Sequence, residues 1–163
     1  MPEKETIRRA RKDKRQGKAP STQAGEFVRE EVHHIREGKH GARSTKQAIA
    51  IGLSKARRAG VDLATPERGT VSERTRRSAQ SARRRAGRKV SARRSRAVRG
   101  ALRREGRSAA SRSSLSRQAS SAARRRSVGS RKAGAKKAVR TKGHRGLTAA
   151  ARKAARTRRR NRS

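Results

Sequence analysis

In the first 65 residues, nearly all of the larger apolar side chains lie between positions 27 and 63. Val28, Val32 and Ile35 are separated by four and three residues, the spacing that aligns side chains on one face of a helix. This pattern predicts a helix over about residues 22–37. A second apolar stripe after a short polar segment predicts another helix over residues 45–59.

The second predicted helix carries signals at both ends. Ser44 and Gln47 have the S-x-x-Q spacing of a capping box, in which the serine hydroxyl accepts from the Gln47 N–H and the Gln47 side chain reaches back. Gly60 occupies the position that favours a left-handed residue after a helix, and Val61 is the apolar residue that folds back in a Schellman ending. Both helix ends are therefore specified locally.

The remaining N-terminal signals complete a small helical unit. Ser21 or Thr22 can cap the first helix and Gly38 can end it. Because only a short loop separates the two helices, they are predicted to form an αα-hairpin or helix-turn-helix. A weaker helix is predicted over residues 4–16, within a basic N-terminal arm at 1–20. The hairpin has little apolar area of its own, so we expect it to need cover from a homodimer partner or from nucleic acid.

Charge divides the chain into two parts. Residues 1–65 hold 16 basic and 8 acidic side chains, residues 66–163 hold 35 and 3, and no acid follows Glu105. A net charge of +40, a single aromatic residue besides histidine and a mean hydropathy of -1.22 are typical of disordered chains. We therefore predict a mostly disordered protein with one small all-α unit at 21–65. The basic tail at 66–163 is predicted to be disordered, or helical only on binding.

The surplus of positive charge predicts a polyanionic partner. Arginine outnumbers lysine by 29 to 6 in residues 66–163, and guanidinium groups bind phosphate in a bidentate manner. The chain lacks the aromatic rings on which single strands stack, so duplex DNA is favoured, with RNA or a ribosome as the alternative. We predict largely sequence-independent DNA binding by phosphate neutralisation. The predicted protein is histone-like, nucleoid-associated and cytoplasmic, and it compacts DNA.

The predicted nucleic-acid contacts are basic residues near the ends of the second hairpin helix and in runs along the tail. A phosphate can also sit at the N-terminus of that helix, where backbone N–H groups point outward. Base reading is expected only from this helix, through Lys46, Gln47, Lys55 and Arg58. The candidate contacts are Lys39, Arg43, Lys46, Lys55, Arg57, Arg58, Arg83, Arg84, Arg85, Arg93, Arg94, Arg124, Arg125, Arg126, Lys136, Lys137, Arg152, Lys153, Arg158, Arg159 and Arg160.

Other chemistry is not predicted. The spacing of His33, His34 and His40 matches no metal signature and cysteine is absent, so we expect no metal ion and no cofactor. The segment at 38–45 departs from the order of a P-loop. Since nothing resembles a nucleophile with its base or a converging acid–base pair, neither an enzyme nor a small-molecule substrate is predicted.

Two further expectations concern acidic side chains and membranes. Adjacent carboxylates on a helix point about 100° apart, so Glu30 and Glu31 are not expected to converge on one substrate. Instead, Glu30 is predicted to pair with His34, and His33 with Glu37. No segment approaches the roughly 18 apolar residues of a membrane span, and no membrane partner is predicted. A protein-interaction role for the hairpin stays open.

Two stretches resemble a family of small basic bacterial proteins that has no assigned function. They are STQAGEFVREE at 21–31 and RSTKQAIAIGLSKARRAG at 43–60, and the resemblance covers roughly residues 1–65. It implies a bacterial setting and brings no catalytic residues. The tail resembles the basic C-terminal tails of linker histones and histone-like proteins in composition, with arginine in place of much of the lysine.

Overall fold

The computed structural model describes residues 2–88 and 91–160, and this part of the chain is built almost entirely of helices. In these two ranges, seven α-helices and one short 3₁₀ helix are joined by turns. The α-helices are α1 (Lys4–Arg15), α2 (Pro20–Arg36), α3 (Thr45–Arg58), α4 (Glu73–Arg84), α5 (Ala92–Arg103), α6 (Arg112–Arg124) and α7 (Val128–Arg160), and the 3₁₀ helix Ser108–Ala110 lies between α5 and α6. None of the helices in the described ranges combines the length and apolar character needed to cross a bilayer.

The prediction of a mostly disordered chain is wrong, because the basic tail forms helices α4 to α7. Composition treats serine as a mark of disorder, yet serine is also a preferred N-cap, worth about 1 kcal/mol. Like-charge repulsion along a helix costs only about 0.2–0.5 kcal/mol per pair, and alanine and arginine both favour helix. Before each tail helix, a serine hydroxyl accepts from the backbone N–H three residues later; these serines are Ser72, Ser91, Ser111 and Ser127.

The chain divides into two compact units, Met1–Gln118 and Ala119–Ser163. In the first unit α2 and α3 form the predicted hairpin, and α1 packs against α2. The predicted helix at 4–16 thus exists as α1. Cover for the hairpin comes from its own chain in two apolar clusters. One contains Val32, Ile35, Ala42, Ala48, Ala109 and Ala110 with Leu115 against it; the other contains Ala10, Ala24, Phe27, Ala56 and Val61 with Ile7, Leu53 and Leu63.

The ends of α3 follow the sequence signals. The Ser44 hydroxyl accepts from the Gln47 N–H at 3.2 Å, and the Gln47 side chain reaches back to the backbone N–H of Arg43. Gly60 has a φ of 88°, and the Val61 N–H donates to a carbonyl of the last helical turn. The predicted capping box and Schellman ending are confirmed, with the side-chain bond one residue earlier than expected.

The start of α2 differs from its prediction. The helix begins at Pro20 after Ala19, and no side chain caps it, so Ser21 and Thr22 lie inside the first turn. Proline suits this position because the first helical N–H has no partner in any case. The end is as predicted, since Gly38 follows the helix with a φ of 76°.

A glycine allows α2 and α3 to approach closely, which gives a first testable prediction. A Cβ at Gly52 would lie 2.7 Å from the Val28 Cα and 3.0 Å from its backbone N, and backbone cannot move aside as a flexible side chain can. Gly52→Ala is therefore expected to destabilise the first unit by about 1–3 kcal/mol. This is opposite in sign to the gain of up to about 1 kcal/mol that alanine usually brings to a helix.

Gly25 in α2 supplies the matched control. It is exposed, and a Cβ there would meet nothing within 4 Å. Gly25→Ala is expected to raise the midpoint of urea unfolding while Gly52→Ala lowers it. Shifts of the same sign in both variants would contradict the close contact between the helices.

The second unit contains the long helix α7. Its helical geometry is interrupted at Gly143, whose φ is 63° and ψ is 175°, so α7 consists of two helical segments at 128–142 and 144–160. The later segment includes the stretch from Thr148 to Arg160, for which a helix was expected on binding. Its threonines return hydrogen bonds to the preceding turn, as Thr148 does to the His144 carbonyl.

Candidate nucleic-acid interface

Four of the predicted phosphate contacts already have partners inside the first unit. Lys39 lies 3.0 Å from a Glu37 carboxylate oxygen and 3.3 Å from one of Glu3. The hydrogen bond to Glu37, followed by that to Glu3, raises the pKa of Lys39. Lys55 lies 3.2 Å from Glu30 and 2.6 Å from the buried Glu31. A phosphate would have to compete with these carboxylates for both ammonium groups.

Arg57 and Arg83 are also engaged by the fold. Arg57 is only 5% exposed and donates from Nη2 to the Ala64 carbonyl at 2.9 Å. Burial, and then the charge of Arg83, lowers the pKa of Arg57. Arg83 in turn lies 2.6 Å from Asp62. These two arginines hold the segment after α3 in place, which is a structural role that a basic run in the sequence does not reveal.

The turn before α3 has fewer donors for an anion than its sequence suggests. The Gly41 N–H donates to the Leu102 carbonyl at 2.8 Å, and the Ala42 N–H donates to the Gly106 carbonyl at 3.0 Å. The Thr45 hydroxyl donates to the Ala109 carbonyl at 2.7 Å. Residues 102–110 therefore cover this turn and occupy the N–H groups of Gly41 and Ala42 and the Thr45 hydroxyl.

Base reading by α3 is also restricted. The Gln47 side-chain oxygen accepts from the Arg43 backbone N–H at 2.7 Å, and Lys55 is paired with two glutamates. Of the four side chains predicted to read bases, these two are occupied, while Lys46 and Arg58 are exposed. The exposed basic groups of α3 can therefore bind phosphate, whereas half of its predicted base-reading side chains are engaged within the fold.

The other predicted contacts are exposed and, apart from Arg160 at the end of α7, have no ion pair within the described ranges. In the first unit these are Arg43, Lys46, Arg58, Arg84, Arg85, Arg93 and Arg94. In the second unit they are Arg124, Arg125, Arg126, Lys136, Lys137, Arg152, Lys153, Arg158 and Arg159. No acidic side chain occurs after Glu105, so the second unit has no carboxylate side chain to neutralise them.

The later segment of α7 arranges arginines along one face, which we name the arginine stripe: Arg145, Arg152, Arg156 and Arg159. Their separations of seven, four and three residues keep them within a narrow sector of the helix. The first three, with Lys153, line a shallow groove. The stripe is roughly 21 Å long at 1.5 Å per residue. Leu147, Ala154 and Arg158 lie toward the opposite side of the helix.

The sequence prediction missed two members of this stripe. Arg152 and Arg159 were expected among the contacts because they belong to basic runs, whereas Arg145 and Arg156 have no Lys or Arg directly beside them. Helical periodicity applied to charge rather than to apolar side chains would have identified them. Searching for such a charge periodicity requires the tail to be treated as helical, whereas its composition predicted disorder.

The acidic and histidine side chains pair differently from the prediction. Glu30 contacts Lys55 and accepts from the Glu3 backbone N–H at 3.1 Å, instead of pairing with His34. His34 lies 2.8 Å from the Glu3 carboxylate, and this hydrogen bond is the main cause that lowers the pKa of Glu3. The expected pair of His33 with Glu37 is likewise replaced, since Glu37 contacts Lys39.

One cluster could hold a metal ion, although the spacing of its residues matches no known signature. Potential ligand atoms of Glu31, His34 and His40 all lie within 4.8 Å of one another. The turn after α2 brings His40 back toward that helix. The fold brings these three residues together, and their spacing in the sequence does not reveal the cluster.

No protein-family model, curated protein or solved structure matches this chain. The resemblance of residues 1–65 to small basic bacterial proteins therefore stays a prediction. Function has to be inferred from the charge and geometry described above.

Proposed function

We propose that this chain is a histone-like, nucleoid-associated protein that binds duplex DNA through its phosphates, largely independently of sequence, and compacts it. The observation that carries the proposal is the acid-free second unit, whose helices expose arginines that no carboxylate side chain of that unit can neutralise. Charged guanidinium groups held near one another repel, and a phosphate backbone relieves that repulsion. The arginine stripe aligns four of these arginines on one face of a helix.

The helical form of α7 lowers the entropic cost of binding DNA. α7 is helical in the structure, and a segment that is already helical loses little conformational entropy when its arginines contact phosphate. Duplex DNA carries about one negative charge per 1.7 Å of axis. The roughly 21 Å stripe thus faces about 12 phosphate charges. Four arginines are well below that number, so the DNA does not limit the number of contacts.

The side chains available favour sequence-independent binding. Asparagine and glutamine, which read adenine in the major groove, do not occur in α7. On α3, Gln47 and Lys55 are engaged within the fold. Arginine can contact guanine. Without another type of side chain that recognises a different base, however, it discriminates little between DNA sequences. Phosphate contacts therefore account for most of the proposed affinity.

The proposal is tested by measuring affinity for two duplexes of unrelated sequence between 50 and 200 mM salt. Neutralising about six to ten phosphates should reduce the affinity by about 10³–10⁵ over this range, with similar slopes for both duplexes. Competition with folded ribosomal RNA is measured in parallel. A shallow slope would contradict phosphate neutralisation, and clear preference for the RNA would assign the protein to ribosome-associated binding instead.

A further inference from the structure

The cluster formed by α2 and the turn after it has a buried carboxylate without a hydrogen bond. The Glu31 side chain is 0% exposed, and neither of its oxygens makes a hydrogen bond of acceptable geometry in the structure. Lys55 lies 2.6 Å from Oε2, which supplies one opposite charge. Oε1 lies 3.4 Å from the His40 Nε2. A buried carboxylate oxygen left in this state is costly unless a cation balances it.

His40 is oriented as a ligand would be. Its Nδ1 lies 3.1 Å from the Gly41 carbonyl, and because a carbonyl only accepts, Nδ1 carries the proton. A neutral His40 ring then has its lone pair on Nε2, which lies 3.4 Å from Glu31 Oε1. Metal-bound histidines commonly donate their other N–H to a backbone carbonyl in this way. Two lone pairs facing each other favour a cation between them.

His34 completes a set of three donors. One of its ring nitrogens is within 4.8 Å of the donor atoms of Glu31 and His40, and its Nε2 is 2.8 Å from the Glu3 carboxylate. Glu3 orients this ring and adds a second negative charge. Zinc ligands at about 2.0–2.1 Å in a tetrahedron are about 3.3 Å apart, so Glu31 and His40 already have suitable separation. Only His34 needs to move, and its side chain is 13% exposed.

We propose that Glu31, His34 and His40 bind one divalent transition-metal ion, for which Zn²⁺ is the best match. Two imidazoles and one carboxylate suit zinc better than magnesium or calcium, which prefer oxygen ligands alone. The ion would join α2 to the loop at 39–43, on which residues 102–110 pack. Lys39 and Lys55 add positive charge nearby, so we expect micromolar rather than tighter affinity.

The test titrates Zn²⁺ into the full-length chain, freed of nucleic acid, by isothermal calorimetry. We expect one ion per chain and a higher melting temperature when zinc is present. His34→Gln and His40→Gln should each weaken binding by at least 10- to 100-fold, as losses around zinc sites do. His33→Gln is the matched control, since this neighbouring histidine is exposed and outside the cluster. It should bind zinc as the unmodified chain does.

The outcome does not depend on the variants folding. In the unmodified chain, NMR of the histidine side chains should show zinc-dependent shifts at His34 and His40, and none at His33 or His144. Absence of binding at millimolar Zn²⁺, or equal loss in His33→Gln, would overturn the proposal. Either result would leave the cluster with a structural role, in which His40 contacts the buried Glu31.

Discussion

Replacing the four arginines of the stripe, Arg145, Arg152, Arg156 and Arg159, with glutamine should weaken duplex binding on the order of 10³-fold at 0.1 M salt. The slope of log affinity against log salt concentration should become shallower by about 3.6, since each of the four phosphate contacts contributes about 0.9. Glutamine keeps a good helix propensity, so α7 should retain its helicity. Fluorescence anisotropy with a labelled duplex measures affinity, and circular dichroism measures helicity.

The expected loss could come from the arginine stripe itself or from the lower net charge of the chain, and a second variant distinguishes these two causes. Arg11, Lys12, Lys14 and Arg15 on α1 are exposed and make no ion pair within the described residues. Changing all four to glutamine removes the same charge from a different surface. The affinity should then fall much less than in the stripe variant. Equal losses would show that overall charge, rather than the ordered stripe, determines binding.

The hairpin could be predicted from sequence because its signals are local and independent. Apolar spacing identified both helices, and the Ser44 and Gly60 signals located the ends of α3. The cover over the hairpin could not be predicted in this way. Ala109, Ala110 and Leu115 are small or isolated apolar residues in a basic segment, and their burial depends on contacts more than 60 residues away in sequence.

The helical tail was missed for a different reason. Composition averages over the positions of serine and glycine, whereas a capped helix depends on where each serine stands. Ser72, Ser91 and Ser111 precede α4, α5 and α6, and Ser127 precedes the first segment of α7 at 128–142. The same averaging hid the stripe, because only a helical period places Arg145 and Arg156 on one line with the other two arginines.

Replacing Lys55 is expected to have the second large effect. Its sign is opposite to what the net charge of the chain alone would predict. In a protein of net charge +40, removing one positive charge from the surface should relieve repulsion and stabilise the fold slightly. Lys55 instead lies between Glu30 and Glu31, whose side chains are 1% and 0% exposed. Lys55→Met would leave two buried carboxylates without their main counter-charge.

Lys55→Met should therefore reduce the free energy of unfolding by about 3 kcal/mol, at the low end for a broken buried pair because the ammonium group is partly exposed. Lys46→Met, on an exposed position of the same helix, should change it by less than about 0.5 kcal/mol. Adding Glu30→Gln and Glu31→Gln to Lys55→Met should recover much of the loss, since neutral amides cost less to bury. Urea unfolding measures all three. If the triple variant were no more stable than Lys55→Met alone, lost packing of the lysine stem rather than unpaired charge would be the cause.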